Sequence, residues 1–86
     1  MEKAVTMYTL STCSHCKDAK RFMRENGVDF EFTDVDLLET LDRAAIVQEI
    51  KKLNPSVSFP TILIGERVIV GFKENEIREA LEHDRR

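Results

Sequence analysis

The chain is poor in cysteine, glycine and proline, with two, three and two of them among 86 residues. So few glycines and prolines exclude a collagenous chain, and a hydrophobic share of 42% is too high for a disordered one. No apolar run approaches the roughly 20 residues that span a bilayer, so a membrane is not an expected partner. No internal repeat, low-complexity tract or linker is present. Residues 1–86 therefore make one small domain with no room for a second catalytic unit. Met1-Glu2-Lys3-Ala4-Val5 passes at once into a strand-like stretch without the apolar core of a leader, and the expectation is a cytoplasmic protein. An excess of positive charge is also missing: 13 Lys and Arg face 16 Asp and Glu, and the net charge of −3 weighs against a nucleic-acid partner.

Two cysteines cannot supply the several bridges of a small secreted scaffold. Cys13 and Cys16 also sit in a Cys-x-x-Cys spacing, and a bridge closing so short a loop removes little entropy from the unfolded chain. Chemistry is the better reason for them. The segment that carries them is basic, whereas Asp29, Glu31, Asp34, Asp36, Glu39 and Asp42 follow one another with no base among them. That acidic stretch reads as a solvated rim on the side away from the cysteines.

Hydrophobic periodicity predicts seven elements. Ala4 to Leu10 is apolar on both faces and reads as a central strand. Ser11-Thr12 offers hydroxyl caps for a helix starting near Cys13, in which Cys16, Ala19, Phe22 and Met23 share a face and Lys17, Lys20, Arg21 and Arg24 lie largely elsewhere. Asn26-Gly27 ends that helix. Phe30 to Val35 reads as a second strand, and Thr40 to Leu53 as a second helix burying Ile46, Val47, Ile50 and Leu53, with a loop or phase change at Leu37, Leu38 and Leu41. Asn54-Pro55 closes it. Pro60 to Ile64 and Arg67 to Val70 flank Gly65-Glu66 as an antiparallel hairpin, and Lys73 to Glu82 forms a last helix on Ile77, Ala80 and Leu81.

The nucleophile of disulfide exchange is a thiolate, which needs access and a site that favours negative charge. A helix N-terminus supplies both, and Cys13 is placed there. Cys16 lies one turn further in, nearer the protein body. The arrangement predicts a division of labour in which Cys13 attacks a partner disulfide and Cys16 resolves the mixed disulfide. His15 stands between them and, with Lys17 and Lys20, either adds a positive field or simply tops a solvated helix face. A zinc site would need four ligands, and beyond the cysteines the chain offers only His15 and His83, so no metal site is expected. The alternative reading is a metal or iron–sulfur carrier in which Cys13 thiols from two copies and external thiols hold a cluster.

The run Tyr8-Thr9-Leu10-Ser11-Thr12-Cys13-Ser14-His15-Cys16-Lys17 resembles the start of a glutaredoxin or of a glutaredoxin-like electron donor to ribonucleotide reductase. Ser58-Phe59-Pro60-Thr61 is similar to the family's Thr-Val-Pro segment, and Gly71-Phe72-Lys73-Glu74-Asn75 to its glycine turn before the last helix. The resemblance implies an α/β thioredoxin fold of order β-α-β-α-β-β-α, a four-stranded mixed sheet with three helices. It further implies a cis Pro60 facing the cysteines and a substrate groove formed by Tyr8, Thr12, Ser14, His15, Phe59, Pro60, Gly71, Phe72 and Lys73. Within that groove Phe72 is either an apolar wall or a core residue, and Lys73 steers an anionic thiol. The implied activity is disulfide reduction in proteins or small molecules by a monomer with no bound cofactor beyond a redox-active Cys13–Cys16 disulfide. Glutathione, another small thiol or thioredoxin reductase would supply the electrons. Members that use glutathione carry a base where this chain has Leu10 and a second glycine where it has Phe72, and both departures weigh against carboxylate capture.

Overall fold

Alternation along β1 (Val5–Thr9) sends Val5, Met7 and Thr9 to one side of the strand, where all three are buried. The helix that follows, α1 (Ser14–Glu25), lays Ala19, Phe22 and Met23 against them. Its end matches the expectation: Asn26 caps it, and Gly27 takes the left-handed φ of 66° that glycine accepts without cost. The computed structural model describes residues 4–84. Within them β2 (Glu31–Asp34), α2 (Thr40–Leu53), β3 (Thr61–Ile64), β4 (Arg67–Val70) and α3 (Glu74–Asp84) complete the chain in the expected order. One 3₁₀ turn, Val35–Leu37, is added between β2 and α2.

The strands pair in the order β2-β1-β3-β4, with β1·β2 parallel and the other two ladders antiparallel. This is the four-stranded mixed sheet with three helices that the sequence implies. Register places Met7 opposite Ile62 and Ile62 opposite Ile69, so these side chains share the face covered by α1 and α3. Ile64, Ile77 and Ala80 complete that core, with Phe72, Val28, Phe30 and Leu81 packed on its margin. Tyr8 and Thr61 oppose each other on the other face. There the Asn54 amide reaches Thr61 Oγ1 at 3.2 Å and fastens the end of α2. Ile50 is fully buried yet stands outside the main cluster, as expected of a helix lying across the second face.

Two local expectations are corrected. Val35 does not extend the second strand, which ends at Asp34; Val35 turns inward in the 3₁₀ segment and is buried. Lys20 does not share the solvated side of α1. It lies four residues after Cys16, hence on the same helix face, and is buried beside it. No helix among the described residues is long and apolar enough to cross a membrane.

Candidate functional site at the tip of the first helix

After β1 the chain turns at Leu10, whose carbonyl accepts the Cys13 N–H at 3.2 Å. Ser11 and Thr12 supply no helix cap. The Ser11 N–H donates to Asp36 Oδ1 at 2.8 Å and its hydroxyl to Asp36 Oδ2, so that side chain is committed to a residue 25 positions away. Capping falls to Cys13, which is extended (φ −84°, ψ 119°) and whose Sγ accepts the Cys16 N–H at 3.2 Å. Its carbonyl accepts the Lys17 N–H and begins the helix. The sulfur thus occupies the place that a serine or aspartate oxygen usually fills, with an otherwise orphan N–H directed at it.

Both cysteines are free thiols, Cys13 half-buried and Cys16 wholly buried. Burial pushes the Cys16 thiol up to about 12, and its hydrogen bond with Cys13 adds to the rise. A backbone hydrogen bond at Leu10 and the Lys20 charge act in the opposite direction. Cys16 is therefore a thiol at neutral pH. The Ser11 hydroxyl, followed by the Ser11 N–H, holds the exposed Asp36 carboxyl below the usual carboxylate range.

Thr12, Ser14 and His15 are exposed on the loop and first turn beside Cys13. The Phe59–Pro60 peptide is cis, with Phe59 half-buried and Pro60 buried. The Gly71 N–H donates to the Pro60 carbonyl at 2.8 Å, joining two of the expected groove residues. That turn gives Gly71 a φ of 89°, a conformation a side chain would strain. Phe72 serves the core: its ring meets Phe22 edge-on at 5.9 Å and packs on the cluster. Exposed Lys73, just before α3, pairs at 3.7 Å with Glu76 in the first turn of that helix. Tyr8 lies on the sheet face opposite the α1 side.

Sequence reasoning missed the polar group beneath the cysteines. Lys20 Nζ lies 3.0 Å from Asp34 Oδ1, with side-chain exposures of 11% and 16%. The Thr9 hydroxyl donates to the same carboxylate, and the Phe32 ring covers the ammonium at 3.9 Å. The signal was present: spacing of four from Cys16 puts Lys20 on the apolar face, and parallel pairing sets Asp34 beside Thr9. For the same reason the acidic stretch is not remote from the cysteines. Parallel strands end on the same side of a sheet, so Asp34 and Asp36 arrive where β1 delivers Cys13.

Among the described residues, no three His, Cys, Asp or Glu side chains gather as a metal site. The side chain of His83, named above as a candidate ligand, lies outside the described residues, as do residues 1–3. A hollow of about 90 Å³ lined by Phe22, Asn26, Arg78 and Leu81 sits at the far end of α1.

The family model described as Glutaredoxin matches residues 5–69. The glutaredoxin-like protein NrdH of Escherichia coli K12 is 30% identical over 73 residues, 85% of this chain and 83% of that one. The crystal structure of methanoredoxin from Methanosarcina acetivorans superposes with a TM-score of 0.88 at 47% identity, covering 93% of this chain and 85% of that one. A glutaredoxin from Methanosarcina mazei Go1 gives 0.84 at 50% identity over 92% and 78% of the two chains. A thiol at the helix tip, a cis proline before β3 and this matching sequence place the chain in the glutaredoxin family, among the thiol–disulfide oxidoreductases of the thioredoxin superfamily.

Proposed function

We propose that the chain is a cytoplasmic dithiol oxidoreductase that reduces disulfides in proteins or small molecules, with Cys13 as nucleophile and Cys16 as resolving thiol. The observation that carries the reading is Cys13 Sγ in the N-cap position, accepting the Cys16 N–H, with the buried Cys16 thiol one turn behind. In the first step Cys13 attacks a disulfide R–S–S–R′, forms Cys13–S–S–R and releases R′S⁻, which takes a proton from solvent. In the second, Cys16 gives its proton to solvent and attacks Cys13 Sγ, breaking the Cys13–S–S–R bond, closing the Cys13–Cys16 disulfide and releasing RS⁻, which is protonated from solvent in turn. Two electrons pass from the dithiol to the substrate, and an external reductant restores them. No group beyond the two sulfurs is needed as electron carrier.

Leu10 and the inward-packed Phe72 stand where glutathione-using members keep a base and a second glycine, so this site supplies little for a glutathione carboxylate. We therefore expect thioredoxin reductase or a small thiol other than glutathione to serve as reductant. A coupled assay on one protein disulfide tests both points, comparing glutathione and its reductase, thioredoxin reductase with NADPH, and a small dithiol. Turnover should vanish in Cys13→Ser, while Cys16→Ser should stop after one half-reaction with the mixed disulfide retained. Undiminished turnover in Cys13→Ser would overturn the mechanism, and turnover fastest with glutathione would overturn the reductant assignment.

A further inference from the structure

Cys16 must lose a proton in a place that opposes charge, and that loss gates the second half-reaction. Cys16 is wholly buried on the inner face of α1, the face whose Ala19, Phe22 and Met23 join the apolar core of Met7, Ile62, Ile69 and Ile77. The charged or titratable groups around this part of α1 are few. Cys13 caps the same helix; His15 and Lys17 flank Cys16 on exposed positions and Asp18 is paired with Arg21; Lys20 lies one turn on, Asp34 reaches in from β2, and Arg78 of α3 lies over Phe22 near the other end of the helix. Once Cys13 is tied up in a mixed disulfide, it can no longer ionise. Of the charges acting on the Cys16 sulfur, Lys20 then remains.

Lys20 is held for that role. Its ammonium is bonded to Asp34, covered by Phe32 and almost withdrawn from solvent, so its field is poorly screened. Asp34 is fixed in turn by the Thr9 hydroxyl. We propose that the Lys20–Asp34 pair sets the rate at which Cys16 displaces a mixed disulfide from Cys13, Lys20 as the accelerating charge and Asp34 as the counter-charge that moderates it. Both are positioning residues, since they act through Cys16 and touch no substrate. The proposal rests on the dithiol reading above. It adds that resolution, and not the first attack, is what this pair controls.

Opposite signs make it testable. Reduced protein is mixed with 2-hydroxyethyl disulfide at pH 6 to 10, quenched in acid, and the mass of the Cys13 adduct followed with time. Lys20→Met leaves Asp34 uncompensated and should lengthen the adduct's lifetime on the order of fivefold, moving the pH midpoint of resolution upward. Asp34→Asn keeps acceptors for Thr9 and Lys20 but frees the positive charge, and should shorten the lifetime and move the midpoint down. Lys20→Arg should restore the wild-type lifetime. Changes of the same sign in Lys20→Met and Asp34→Asn, or no change in either, overturn the proposal. If Lys20→Met does not fold, Asp34→Asn decides alone, a lifetime unchanged or lengthened being the adverse result. Cys16→Ser keeps the two questions apart: failure to trap an adduct there removes the dithiol reading itself.

Discussion

Cys16 and Asp36 are stabilised in opposite protonation states, and each leaves its mark on stability at a different end of the pH scale. The folded protein holds Cys16 as a thiol up to about 12, whereas the unfolded chain ionises it near 9.0. A pKa raised by folding means that the contribution is fully present below pH 9 and is lost as pH rises from there towards 12. Melting of the reduced protein should therefore fall more steeply above pH 9 in wild type than in Cys16→Ala; parallel curves would contradict the burial account. Asp36 runs the other way. Its carboxyl is held below the ordinary value of 3.8 by Ser11, so its contribution is present above that value and lost as pH falls through the depressed one. Asp36→Asn should flatten the acid limb of a urea titration below pH 4 while leaving the limb above pH 5 unchanged. An equally steep acid limb in the variant would mean that the Ser11 bonds do not form in solution.

At the scale of elements, what the sequence makes legible is what periodicity and local punctuation encode. The second helix was expected at Thr40 to Leu53 and has those bounds, because Asn54-Pro55 ends it and the apolar spacing of Ile46, Val47, Ile50 and Leu53 marks its inner side. The hairpin about Gly65-Glu66 and the end of the first helix at Asn26-Gly27 were equally plain. The paired Cys13 and Cys16 could be placed on the helix tip for the same reason. What local signals cannot encode is which partner a polar side chain finds across the fold. Ser11 looked like a cap and is bonded to Asp36; Lys20 looked solvated and is bonded to Asp34. Asn54 is a third example, read only as a helix stop. Its buried amide donates to the Ser58 carbonyl, Ser58 Oγ and Thr61 Oγ1, and its Oδ1 accepts from Ser56, tying the end of α2 to the segment that carries Pro60. Removing it strands several of these groups at once, and Asn54→Ala should cost about 2–3 kcal/mol in urea unfolding. A loss below about 0.5 kcal/mol would show that water replaces the amide freely.

Across the whole molecule the two faces of the sheet are unequally covered, and this asymmetry determines where the protein is stable. The α1 face receives Ala19, Phe22 and Met23 from one helix and Ile77 and Ala80 from another. The second face has α2, in which Ile50 is the one buried residue and Leu41 is 84% exposed. Burial of apolar side chains is worth about 1.5–3 kcal/mol each, so α1 is held by several such contributions where α2 has about one, aided by the Asn54 hydrogen bonds. The well-packed face is also the one that carries Cys16, Lys20, Thr9 and Asp34, whose spacing the chemistry depends on. Native-state hydrogen exchange should consequently find α2 opening in a sub-global step, with amides exchanging about tenfold or more faster than those of β1, β3 and α1. Oxidising Cys13 and Cys16 joins the loop after β1 to α1 without touching α2, so the difference should persist in the disulfide form. Uniform protection across the two helices would show instead that the faces unfold together, and that the thin cover over Tyr8 and Leu63 carries more of the stability than its buried area suggests.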